Sequence, residues 1–182
     1  FDQGAASLHR RLELIHSATL LHDDIIDGGE TRRGRPSAFQ RYGLTNTLVT
    51  GLTNDWNYLA NTLQITNSSR YLRHNGKPVV AVWGFGFSGR PDTPEQAQQV
   101  ISFFKSAGLT VMGGLPTYWR TLNNDAQSDS AWAAVFRSFD IISPWSVGRY
   151  GDIAGADNFR VNLIVPDMTE AAANGREYMP VI

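Results

Sequence analysis

The stretch "LLHDDIIDGGETRRGRP", residues 20 to 36, sets Asp23, Asp24 and Asp27 within five positions and follows them with Arg32, Arg33 and Arg35. On a helix, Asp23 and Asp27 are i, i+4 neighbours and Asp24 and Asp27 are i, i+3 neighbours, so three carboxylates converge at one helix end. Unpaired, they repel each other and oppose the negative helix C-terminus. A hard divalent cation removes both penalties. Mg²⁺ suits such a set, because it takes a few carboxylates, keeps waters and completes its octahedron with phosphate oxygens. Arg32 and Arg33 then offer forked donors for a second phosphate group, and Gly34 permits close backbone approach. The plain alternative is a solvated acidic turn neutralised by nearby arginines. A lone DDxxD favours that alternative; RRGRP at this spacing favours the metal and diphosphate.

Two textures of chain must position these residues. Residues 5–22 place Leu8, Leu12, Ile15 and Thr19 at helical spacing, continued by His22, and read as an N-terminal helical segment. Gly28-Gly29 stops it, and residues 37–51 read as a weaker, threonine-rich helix. Near residue 52 the texture changes. "DWNYLANTLQI" reads as an amphipathic helix with Trp56, Leu59 and Leu63 on one face, and "KPVVAVWGFGF" as a buried strand. Thr93 reads as the N-cap of a helix with Pro94 in its first turn and Gly108 at its end. "LTVMGG", "DIISPW" and "EYMPVI" read as further strands, and "DSAWAAVFRSF" and "MTEAAANG" as helices. Strand starts near Val79, Leu109 and Phe139 recur at about 30 residues, the length of a strand-helix-strand unit with parallel strands.

The expected fold class is therefore α/β: a partial (β/α) barrel of parallel strand-helix units preceded by the helical segment. A doubly wound sheet is the other arrangement of such units. A whole barrel takes roughly 250 residues, so this chain would hold about half of one. The expected domains are 1–51 and 52–182, with open sheet edges near Val80 and Val181 inviting self-association.

Composition narrows the function classes. The chain has 182 residues, 42% of them apolar, so it can form a sizeable core. The formal net charge is −1, so no global field draws nucleic acid or an acidic membrane, and an anion site must be local. Without cysteine there is no disulfide or thiolate chemistry. "FDQGAASLHRR" does not read as a signal peptide, and no apolar run reaches the roughly 18 residues of a membrane span. A start at Phe1 suggests a processed or excised piece.

"ELIHSATLLHDDIIDGGETRRGRPSAFQRYG" resembles the first aspartate-rich region of trans-isoprenyl diphosphate synthases. Asp23, Asp24, Asp27, Arg32, Arg33 and Gly34 match the pattern DDxxD, four residues, RRG. The resemblance covers roughly residues 8–51 and implies a cytoplasmic, all-helical prenyltransferase. In it the three aspartates hold Mg²⁺ against an allylic diphosphate, and an arginine of the Arg32-Arg33 pair holds isopentenyl diphosphate. Inorganic diphosphate shares that chemistry. The family also needs a second aspartate-rich motif; no second DDxxD occurs here, and Asp152 and Asp157 stand apart.

Residues 52–182 resemble proteins with the glycoside hydrolase family 99-like barrel, through "YLRHNGKPVVAVWGFGF", "GGLPTYWR", "FDIISPWSVGRY" and "EYMPVI". Trp83, Tyr118, Trp119 and Trp145 fall where strands end, and flat aromatic faces suit the sugar rings of a mannose-type oligosaccharide. Core packing is the competing role for each. Glycoside hydrolysis needs two carboxylates; Asp140, Asp152 and Glu177 form no evident pair, Asp140 opens a strand at the stability face, and the resemblance puts the catalytic glutamates beyond Ile182. Catalytic residues stay unassigned.

"GFGFSG" reads as a loop rather than a nucleotide motif. His9, His16, His22 and His74 lack a zinc spacing. Asn67-Ser68-Ser69 is a glycosylation sequon of meaning only in a secreted eukaryotic chain. Three readings remain: a prenyltransferase piece, a sugar-binding or hydrolase-like barrel piece, and a fusion product without activity.

Overall fold

The computed structural model describes residues 31–32, 35–36 and 44–181, with side chains from Leu48 onward. The chain divides into two compact units, Phe1–Asn67 and Ser68–Ile182. The expected helix over residues 5–22 lies outside the described residues.

In the first unit, β1 (Thr31–Arg32) pairs antiparallel with β2 (Arg35–Pro36). Helix α1 (Leu44–Asn57) follows and passes into a π-helical turn, Tyr58–Thr62, and a 3₁₀ turn, Ile65–Asn67. The change of texture at Gly51-Leu52 thus falls inside one helix rather than between two. Leu48 and Trp56, eight residues apart and so on one helical face, are its buried positions among the described side chains.

The second unit opens with a hairpin. β3 (Arg73–His74) pairs antiparallel with β4 (Lys77–Trp83), joined by Asn75 and Gly76 at φ 50° and 79°. Two positive-φ residues are what a type I′ turn demands, and Asn-Gly is the pair that adopts them most readily. Helix α2 (Pro94–Ser106) returns the chain to β5 (Thr110–Leu115), and the short α3 (Trp132–Phe136) returns it to β6 (Ile141–Pro144). Helix α4 (Ile153–Phe159), a π-helical turn at Arg160–Ile164 and α5 (Val165–Ala173) lead to β7 (Glu177–Tyr178). A bridge between Trp145 and Val181 extends the last pairing.

The sheet order is β3-β4-β5-β6-β7, with every pair from β4 onward parallel. Each new strand is added on the same side, which is the order of a barrel wall and not of a doubly wound sheet. Five strands about 4.8 Å apart would set flat edges roughly 19 Å from each other. Yet His74 Nε2 of β3 stands 3.7 Å from Glu177 Oε1 of β7. The sheet therefore curls, with the start of its parallel strands drawn together, into a mixed α/β half-barrel.

Helices cover the convex face. Val82, Val111, Leu115 and Ile142 are buried there, with Ala97, Val100, Ile101 and Phe104 of α2 and Trp132, Val135 and Phe136 of α3 also in the core. Helix α2 begins as its sequence requires. The Thr93 hydroxyl accepts from the Gln96 N–H at 3.3 Å, and the Gln96 side chain accepts from the Thr93 N–H at 3.1 Å. This capping box satisfies two otherwise orphaned donors. Gly108, at φ 81°, ends the turn that follows.

Candidate functional site

The β1–β2 hairpin puts the backbone of Arg32 directly opposite that of Arg35. Asp23, Asp24, Asp27 and Arg33 lie outside the described residues. Among the described residues, no three His, Asp or Glu side chains converge on a metal position.

The aromatic candidates of the second unit separate into a surface pair and core residues. Trp83 ends β4 and Trp145 follows β6; their rings meet edge to face, with centroids 5.8 Å apart at 87°. Trp145 is 43% exposed. Gly114 makes the Trp83 position available, since a Cβ there would fall 1.9 Å from the indole. Tyr118 is half-buried in the loop after β5. Trp119 has no exposed surface: its Nε1 donates to Asp167 at 3.1 Å and the Arg137 guanidinium lies over its ring. Such a ring is closed to a ligand, so the structure brings Trp83 and Trp145 together and leaves Trp119 in the core.

The loops that carry this pair are held by a carboxylate the sequence did not flag. Asp125 accepts from the backbone N–H groups of Thr117 at 3.0 Å and Tyr118 at 3.1 Å, and pairs with Arg149. The buried Thr117 hydroxyl donates to the Trp145 carbonyl. The loop after β5 is thereby fastened to the chain after β6.

Asp140, Asp152 and Glu177 each have structural work. Asp140 accepts from the Val111 N–H at 2.9 Å and pairs with Lys105 at 2.8 Å, at the start of β6. Asp152 caps α4, accepting from the Gly155 N–H at 2.7 Å. Glu177 faces His74 across the curl. Two buried carboxylates escaped sequence reasoning. Asp92 accepts from the Gly86 N–H at 2.8 Å while its other oxygen has no partner, and burial raises its pKa despite that hydrogen bond. Asp167 on α5 accepts from Arg120 Nε at 2.7 Å, Trp119 Nε1 at 3.1 Å and the Tyr178 hydroxyl at 3.4 Å. Burial raises its pKa as well, against the pull of those donors. Nothing local in the sequence marks Asp167, whose partners lie 47 and 48 residues before it and 11 after.

Comparison with known proteins bears on the first unit. Residues 2–73 match the polyprenyl synthetase family, a span that contains the whole aspartate-arginine cluster. Geranylgeranyl diphosphate synthase of Mycobacterium tuberculosis is 43% identical over 47 residues, 26% of this chain and 13% of that protein. Mitochondrial hexaprenyl pyrophosphate synthase of Saccharomyces cerevisiae is 56% identical over 40 residues, 20% of this chain and 8% of that protein. Geranylfarnesyl diphosphate synthase of Methanosarcina mazei is 34% identical over 73 residues, 40% of this chain and 21% of that protein. The chain thus spans about a fifth or less of the length of these relatives. No solved structure gave a significant match. No described helix is long and apolar enough to cross a membrane.

Proposed function

We propose that the first unit binds diphosphate through magnesium, as a piece of an isoprenyl diphosphate synthase. Asp23, Asp24 and Asp27 hold Mg²⁺, and Arg32 and Arg33 hold a second diphosphate. The observation that carries this reading is the polyprenyl synthetase match over residues 2–73, with every cluster residue inside it. The donor set fits the ion: hard carboxylate oxygens, too few to fill an octahedron, leave positions for water and phosphate. Bound there, Mg²⁺ would neutralise the charge of a departing diphosphate. The backbone pairing of Arg32 with Arg35 sets two arginine positions opposite each other, which supports an anion beside them. Within these 182 residues no second aspartate-rich motif occurs, so this chain binds diphosphate without condensing allylic and isopentenyl substrates.

The test is a pair of substitutions. Asp23→Ala with Asp27→Ala removes the metal-dependent part of inorganic diphosphate binding, while Arg32→Ala weakens binding at every magnesium concentration. Equal losses at every magnesium concentration from both would contradict the division of labour. Radiolabelled isopentenyl diphosphate incorporated by this chain alone would contradict the incompleteness.

A second reading concerns the second unit and rests on the Trp83–Trp145 pair at the ends of parallel strands, the place where barrel enzymes and binding proteins take ligands. In that reading the pair stacks on an uncharged sugar of a mannose-type oligosaccharide. A chain joined from two sources accommodates both readings. The texture changes at Gly51-Leu52, the compact units part at Asn67-Ser68 and the family match ends at residue 73. Failure of the chain to bind inorganic diphosphate and, in a second titration, methyl α-mannopyranoside would leave the inactive fusion as the account.

A further inference from the structure

The concave face of the sheet holds a hydroxyl with nothing to bond. Trp83, Gly114 and Ser143 are register partners across β4, β5 and β6. Register partners in a sheet face the same side, and Trp145 follows Ser143 by two residues, so alternation sets it on that side as well. The Trp83 indole lies across Gly114, in space that a Cβ would fill. Ser143 is fully buried and its Oγ has no hydrogen-bond partner. Burying an unpaired hydroxyl is unfavourable. The patch itself is uncharged: its neighbours on the same face include the exposed Ala81, the half-buried Met112 and the buried Ile141, and the nearest charge given by the register is the Glu177 carboxylate opposite Ile141.

We propose that the Trp83 ring is a movable cover over the Ser143 hydroxyl, and that a sugar ring stacked on Trp145 takes that hydroxyl as its polar anchor when the cover swings aside. This inference rests on the sugar-binding reading of the second unit and adds to it a residue that orients the ligand. The chemistry is matched. A neutral hydroxyl both donates and accepts, as does a sugar hydroxyl, and an indole face takes the C–H face of the ring. An anion would find no positive group in the patch. Gly114 offers the indole no side-chain wall and Ala81 offers only a methyl group, so the ring rests on the Gly114 backbone and the edge of Trp145.

The experiment titrates the intact chain with methyl α-mannopyranoside and follows the indole N–H resonances of Trp83 and Trp145. Both resonances move for the parent chain. Ser143→Ala binds about fivefold more weakly, the loss of one neutral hydrogen bond, and Trp145→Ala loses binding. Ser143→Ala removes an unpaired hydroxyl, so it melts no lower than the parent, which separates lost binding from lost folding. Gly114→Ala drives the Trp83 ring off the sheet and moves its resonance without sugar. Equal affinity of Ser143→Ala and the parent overturns this inference while leaving sugar binding intact, as does a Trp83 resonance that sugar does not move. A parent chain that binds no sugar at all removes the second reading and this inference with it.

Discussion

Replacing Asp167 with alanine should destabilise the second unit by about 2–4 kcal/mol. The magnitude follows from what the carboxylate leaves behind. Trp119 has no exposed surface, so its Nε1–H, now 3.1 Å from Asp167, would be orphaned in the core. An unsatisfied buried donor costs about 1–3 kcal/mol. Arg120 also loses its partner at 2.7 Å, but its side chain is 25% exposed, so water recovers part of that loss. The Tyr178 hydroxyl at 3.4 Å is the weakest of the three bonds. Asp167→Asn keeps an acceptor for Trp119 and should cost less than alanine. The two variants also differ from the parent in pH dependence. Burial holds the Asp167 carboxyl above its ordinary range, so the native state binds its proton more tightly than the unfolded chain does. Its contribution to stability therefore falls as pH rises from the ordinary aspartate value through the raised native value, and is flat above. Asparagine has no proton to lose and should lack that slope. The assay is denaturant unfolding across this acid range, read together with hydrogen exchange of the Trp119 indole. Asp167→Ala with parental stability and a protected indole would refute the reasoning.

Three further outcomes follow from particular contacts. Gly114→Ala should lower stability by about 1–3 kcal/mol, because the new methyl group collides with the Trp83 ring; an unchanged melt would mean the ring moves without cost. Thr93→Ala should cost about 1 kcal/mol through loss of the α2 capping box, visible as faster amide exchange in the first turn of α2 alone. The edge expected at the strand near Val80 is partly covered by β3, which pairs with the start of β4, so the second unit should self-associate through its outer strands β3 and β7, with sedimentation coefficients that rise with concentration; a single monomeric species throughout would contradict it.

The elements of the second unit were readable because local rules and tertiary packing agree there. The strands expected near Val79, Leu109 and Phe139 stand at Lys77–Trp83, Thr110–Leu115 and Ile141–Pro144, and Thr93, Pro94 and Gly108 bound α2 as expected. The β3–β4 hairpin was missed although Asn75-Gly76 announces it. "DSAWAAVFRSF" yields only the five-residue α3, with Asp129 bonding the Ala131 N–H just before it. The helix across Gly51-Leu52 went unread because a glycine amid threonines lowers helix propensity, and burial of Leu48 and Trp56 on one face offsets that. Site residues were legible where spacing carries the chemistry, as in the aspartate-arginine cluster. They were not legible where partners come from distant segments. No pattern within a helix's length of Asp125 or Asp167 points to Arg149 or Arg120. Trp119 and Trp145 look alike in sequence, and only the fold sends one into the core and the other to the surface.

The central claim is magnesium-dependent diphosphate binding by Asp23, Asp24 and Asp27. Calorimetric titration of the intact chain with inorganic diphosphate, with and without Mg²⁺, tests it most directly. The account predicts weak binding of either alone and tighter binding of the two together, because phosphate oxygens complete a metal shell that three carboxylates leave open. Diphosphate affinity that is the same with and without Mg²⁺ would contradict it and reduce the cluster to a solvated charged turn.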